Sequence, residues 1–143
     1  MQLNSIKILL TNLVVIHLVG NLWHGGAHAT LEIFLPEIKT AFVIIVILFG
    51  PVVGAILTWT RFVLPGSWIV GVSMVSSLVF SVYHHYVLIS PDNVEHLPLG
   101  TPSSHVNFSD SAGFIALIAL LAALFAFYAV GKLQSSGSGI LQT

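Results

Sequence analysis

Residues 6–32 read IKILLTNLVVIHLVGNLWHGGAHATLE, and this stretch decides how the chain is read. Its first part, roughly Ile6 to Trp23, is an apolar run close to the ~20 residues a helix needs to cross a hydrocarbon core. Its second feature is a stripe. His17, Asn21, His24, His28 and Glu32 follow one another at intervals of four, three, four and four. On an α-helix those steps keep side chains on one face. His24-x-x-x-His28-x-x-x-Glu32 thereby sets two imidazoles and a carboxylate one turn apart. A soluble protein spreads such residues over its surface at little cost, but in a membrane helix a polar stripe has to face something. Gly25-Gly26 is the expected weak point of this helix, and a break there would detach His28 and Glu32 from the register of His17.

Composition supports a membrane setting. The chain has 143 residues, of which 56% are hydrophobic and 6% charged, with a mean hydropathy of +0.99. Soluble domains carry roughly 25% charged residues, so a chain this poor in charge cannot cover a water-facing surface. The expected fold is an all-α integral membrane protein, one domain over 1–143, built as a four-transmembrane-helix bundle. The expected spans are about 6–23, 40–59, 68–89 and 111–130. They leave a long loop at 90–110 and a flexible Ser/Gly-rich tail at 133–143. Asp110 is the expected N-cap of the last helix. A signal-peptide reading competes for the first span, with Lys7 as its basic end and Ala27-His28-Ala29 as an A-x-A site that would remove residues 1–29. Asn12 and His17 inside the apolar run speak against it.

The other spans carry fewer signals. Gly50-Pro51 predicts a kink in the second, and Gly50-x-x-x-Gly54 is a spacing that lets membrane helices approach closely. The third carries Ser77 and Ser81 and then His84-His85. Steps of four and three put Ser77, Ser81 and His84 on roughly one face. The fourth span has no charged residue or histidine and is expected to pack or to face lipid. With the amino terminus in the cytoplasm, Lys7, Arg61 and Lys132 fall inside and only Lys39 outside, as the positive-inside rule favours. The expected topology is therefore N-in/C-in and multi-pass. Its loop at 90–110 is extracytoplasmic, and His24, His28, His84, His85, His96 and His105 gather at that membrane face.

With cysteine absent, thiolate metal sites, disulfides and iron–sulfur clusters are excluded. No basic cluster suggests nucleic acid. Imidazole suits Cu, Zn, Fe and Ni, and carboxylate adds charge. The expected centre is a transition-metal site on His24, His28, Glu32, His84 and His85, with copper favoured and then zinc or iron. The loop offers Asp92, Glu95, His96, His105 and Asp110 as further donors. Neighbours on a regular helix differ by about 100°, so only one of His84 and His85 is expected to ligate. The partners expected are the lipid bilayer and other membrane subunits, in a larger metal or redox complex. One alternative is a b-type haem electron carrier with His17 and His84 as haem ligands. Another is a purely structural membrane subunit without a cofactor.

His24-x-x-x-His28 and His84-His85 resemble fragments of the histidine boxes of membrane di-iron desaturases and hydroxylases. Ser81, however, stands where an H-x-x-H-H pattern has its first histidine, and the histidines are too few for two irons held in that way. The pair is also similar to the copper-binding histidines of haem–copper oxidases, over two residues only. Neither likeness assigns the chain to a family.

Overall fold

The computed structural model describes residues 2–138. Four helices account for most of them: α1 (Leu3–Thr30), α2 (Glu37–Thr58), α3 (Val63–Val87) and α4 (Pro102–Ser138). No strand occurs among the described residues. All four helices are long and apolar enough to span a membrane. Their outward faces are apolar too, with Val19, Leu22, Ile45, Ile56, Val79 and Leu124 exposed, as a lipid-facing surface requires.

Several helix boundaries differ from the sequence reading, among them the start of α3, which lies at Val63 rather than 68. α1 does not break at Gly25-Gly26; it runs on to Thr30. α4 begins at Pro102, not near 111. Thr101 caps it, with its Oγ1 accepting from the Ser104 N–H at 3.1 Å, and Pro102 follows where a missing N–H costs nothing. Asp110 is therefore an exposed residue inside the helix rather than its cap. The same helix continues to Ser138, so the first residues of the expected tail are helical. Residues 139–143 of that tail lie outside the described residues.

The helices neighbour one another in the ring order α1, α4, α3, α2. α4 fits against both α1 and α3 because alanines line its inner side. Ala119, Ala122, Ala126 and Ala129 are fully buried against Leu10, Val14, Val70 and Met74. Its other side presents Leu117, Leu121 and Leu124 outward, so α4 both packs and faces lipid. The ring closes between α1 and α2 chiefly along Gly50–Thr58. Beyond that, the outer half of α2 leans on α3 and leaves a seam beside α1.

Pro51 explains the irregular middle of α2. It has no N–H for the carbonyl four residues back, and the preceding Val43–Phe49 winds as a π-helix, whose i→i+5 pattern accommodates the missing donor. Just after it, α2 and α3 touch backbone to backbone. A Cβ on Gly54 would sit 2.9 Å from the Gly66 carbonyl oxygen and 2.8 Å from Val70 Cγ2. The small-residue spacing thus serves close packing. Gly54→Val is expected to force these helices apart at a cost of about 1–3 kcal/mol, read as a lowered midpoint of thermal unfolding in detergent. An unchanged midpoint would show that the crossing does not depend on Gly54.

Candidate metal centre

At the end of the bundle where α1 finishes and α4 begins, three imidazoles meet. His24 and His28 come from the last turns of α1, and His85 comes from the end of α3. His24 Nε2 lies 3.1 Å from His85 Nε2 and 3.1 Å from His28 Nε2. All three ligand atoms lie within 4.8 Å of one another. His24 and His85 are buried and His28 nearly so. A tetrahedral ion bonded to nitrogens at about 2.0–2.1 Å separates neighbouring ligands by about 3.4 Å, close to the two short distances here. A buried His24/His28/His85 group of this kind could hold a metal ion.

The outer nitrogen of each ring fixes what the inner one can do. His85 Nδ1 is 2.9 Å from the Asp92 carbonyl oxygen, and His28 Nδ1 is 3.2 Å from the Ile33 carbonyl oxygen. A carbonyl only accepts, so both Nδ1 atoms carry the proton. His24 Nδ1 is 2.9 Å from Ser111 Oγ, and that hydroxyl bonds the Phe108 carbonyl. That hydroxyl either keeps this bond and accepts from His24 Nδ1, or turns to His24 Nδ1 and leaves His24 Nε2–H to bond the Nε2 of His85 or His28. With the tautomers assigned from these bonds, His28 and His85 turn unprotonated Nε2 atoms toward one point, and His24 does so in the first of its two tautomers. Phe108, fully buried, walls this point off, with its ring centroid 4.8 Å from that of His24 and 5.0 Å from that of His28.

Asp92 makes the set more electron-rich. Its Oδ1 lies 3.1 Å from His28 Nε2 and 3.3 Å from His85 Nδ1. Neither approach is a good hydrogen bond, because His85 Nδ1–H is directed at the Asp92 carbonyl and His28 carries its proton on the other nitrogen. Both carboxylate oxygens are accordingly buried without a donor among the described residues. Burial pushes the Asp92 carboxyl up. The neighbouring His28 and His85 rings outweigh it and hold the group well below the usual carboxylate range. Three imidazoles and a carboxylate thus share one buried region, which a proton or a metal ion would stabilise.

Local structure explains why these residues and not others arrive here. α1 ends in a Schellman motif: Ile33 N–H bonds the His28 carbonyl at 3.0 Å and Glu32 N–H bonds the Ala29 carbonyl. The motif returns the Ile33 carbonyl to His28 Nδ1. It also places Glu32 beyond the helix, at φ 53° and exposed, so the expected stripe stops at His28. At the other helix, Tyr83–Val87 winds as a π-helix. More residues per turn bring His85, rather than His84, beneath Ser81 and Ser77. The loop then folds back, with Val94 N–H on the His85 carbonyl and Asn93 Nδ2 on the Leu88 carbonyl, and so carries Asp92 to the cluster.

The remaining expected residues have other partners. His84 bonds its own helix at the Phe80 carbonyl and stacks on the Phe80 ring. His96 and His105 hold the loop through Asn93 and the Pro98 carbonyl. His17 lies deeper, 2.9 Å from Ser77 Oγ and 3.2 Å from Asn21 Nδ2. That direct contact ties α1 to α3 at the level of His17. Ser111 and Phe108 were not singled out as site residues by the sequence; only their place on the extended α4 brings them in. No family model, no curated protein and no solved structure matches this chain.

Glu32 provides a test of this geometry. The left-handed conformation penalises a side chain by roughly 1–2 kcal/mol and favours glycine. Glu32→Gly is therefore expected to raise thermal stability and leave metal affinity unchanged. Loss of metal from that variant would restore Glu32 as a ligand.

Proposed function

We propose that this is a small polytopic membrane protein that binds a transition-metal ion on His24, His28 and His85, with the Asp92 carboxylate beside it. The observation that carries this reading is the convergence of three Nε2 atoms whose partner nitrogens are all held by hydrogen bonds, two of them to carbonyls. Metal-binding histidines are commonly oriented in this way, by a hydrogen bond from the nitrogen that does not ligate. Copper is the first choice, then zinc or iron. With thiolate absent, the affinity order for imidazole sets rises toward Cu(II) and falls again at Zn(II). A groove of about 1,070 Å³ at the same end of the bundle is lined by Glu32, Lys39, Ser90 and Asp92. It offers the ion a route from water to the cluster. The lysine and arginine distribution supports an extracytoplasmic position for that end. No soluble domain occurs among the described residues, which supports a role as a subunit or accessory of a larger membrane metal or redox assembly.

The test is elemental analysis and an optical spectrum of the chain purified from membranes without chelator. The expected result is one copper, zinc or iron per chain and no Soret band. His24→Ala, His28→Ala and His85→Ala are each expected to abolish stoichiometric metal, whereas His84→Ala retains it. Ser111→Ala, which frees the His24 ring, is expected to weaken affinity by about 10–100-fold. A Soret band would move the assignment to haem. Absence of metal, with all four histidine variants tolerated, would leave a structural subunit.

A further inference from the structure

The outward side of α1 carries one group that contact with lipid does not explain. Asn12 is exposed, and its side-chain amide has no hydrogen-bond partner among the described residues. It lies inside the span. Lys7, 5.8 Å from the centre of the Trp59 ring, marks the nearer boundary. Asn12 stands five residues further on, about 7.5 Å along the helix axis. Exposed apolar residues flank it on both sides, with Ile8 and Leu9 before it and Val15, Ile16 and Val19 after it. Hydrocarbon offers an amide no hydrogen bond, so an unpaired one is costly there. Asn21 on the same helix shows how the chain satisfies such a group. Its Nδ2 lies 2.9 Å from the His17 carbonyl oxygen and 3.2 Å from His17 Nε2. Asn12 makes no such bond to its own helix or to a neighbour.

The pattern around Asn12 indicates what covers it. Ile8, Asn12, Val15, Val19 and Leu22 follow one another at steps of four, three, four and three, and all are exposed. That alternation is the repeat of a coiled-coil seam, with Asn12 and Val19 at a positions and the other three at d. The seam lies on the side of α1 turned away from the buried Leu10, Val14 and His17. The next a position is Gly26, where a Cβ would meet nothing within 4 Å. A glycine inside a helix weakens it, and no close contact within this chain accounts for this one.

We propose that this face of α1 pairs with α1 of a second copy of the chain, inserted in the same orientation and related by a two-fold axis along the membrane normal. Such an axis sets each residue at the centre of the seam against its own counterpart at one depth. An amide suits that position because it carries both N–H donors and a carbonyl acceptor. Two Asn12 side chains therefore satisfy each other, whereas a carboxylate or an ammonium facing its own counterpart would be repelled. A single asparagine at an a position also fixes the register of two parallel helices. No charged residue lies between Ile8 and Leu22 to oppose the pairing. His24 lies on the buried side of α1, so the pairing does not depend on the proposed metal centre.

The test is self-association of the full chain in lipid bilayers, read as energy transfer between donor- and acceptor-labelled chains while added lipid dilutes the protein. A reversible two-chain species is expected. Asn12→Leu is expected to raise its dissociation constant about tenfold, the usual order for a hydrogen bond between membrane helices. Val19→Trp, which forces the seam apart at the next a position, raises it at least as much. Val79→Trp, exposed on α3, leaves it unchanged. The chain has no cysteine, so Val19→Cys supplies the sole thiol, and oxidation is expected to join two chains through it, which Val79→Cys does not allow. A single chain at every dilution overturns the inference. Association indifferent to Asn12→Leu and Val19→Trp overturns it as well, by placing the contact on another face. So does a chain that stays single while Asn12→Leu releases a different membrane protein from it, which assigns the face to that partner.

Discussion

The arrangement of the histidine end depends on where three protons sit. His28 and His85 each have one nitrogen against a carbonyl that cannot donate back to it, and His24 has one against the Ser111 hydroxyl. A neutral histidine has one N–H to give. Once that N–H is directed outward, the inward nitrogen is a bare lone pair. His24 Nε2 stands 3.1 Å from both other Nε2 atoms, and the Asp92 carboxylate lies at the edge. In a buried site at the end of the bundle the effective dielectric is low, so the energy of this group depends strongly on how protons or a metal ion are shared within it.

Each of those outward bonds comes from a different part of the fold, which is why the cluster is a property of the whole bundle. The Schellman turn after α1 supplies Ile33, the folded-back loop after α3 supplies Asp92, and α4 supplies Ser111. Two of the rings are gripped twice. His28 receives the Ile33 N–H at its carbonyl and gives its ring proton to the Ile33 carbonyl. His85 receives the Val94 N–H at its carbonyl and gives its ring proton to Asp92. Main chain and side chain are therefore fixed by the same short segment, and neither ring can turn without opening a helix end. Phe108 occupies a further side, so the rings pack there against an aromatic wall rather than a polar one.

Much of this was legible in the sequence where the cause is local and little where it is tertiary. Four apolar runs identify the spans because hydrocarbon tolerates nothing else of that length. The approach of His24 to His28 follows from a four-residue step on one helix. Glu32 continues the same arithmetic, yet the helix has already ended, and a left-handed residue at 32 turns the carboxylate to solvent. The choice of His85 over His84 turns on a π-helical stretch that no periodicity announces. The start of α4 was written in Thr101-Pro102, a cap followed by a proline at the first helical position. A loop crowded with Pro, Ser and Gly concealed it. Ser111 and Phe108 carry no mark of a site at all, since their roles exist only against α1.

The two cavities at this end share Asp92, Ile33, Phe34 and Leu35 as lining. One is a groove beside charged loop residues, and the other is an apolar chamber reaching toward the lipid seam. The segment 31–35 and Asp92 thus form a thin partition with the histidines behind it. The groove side carries the charged Glu32 and Lys39, and the chamber side carries Val43, Ile47 and Phe80. The two faces of the partition therefore differ in polarity while sharing one carboxylate, Asp92.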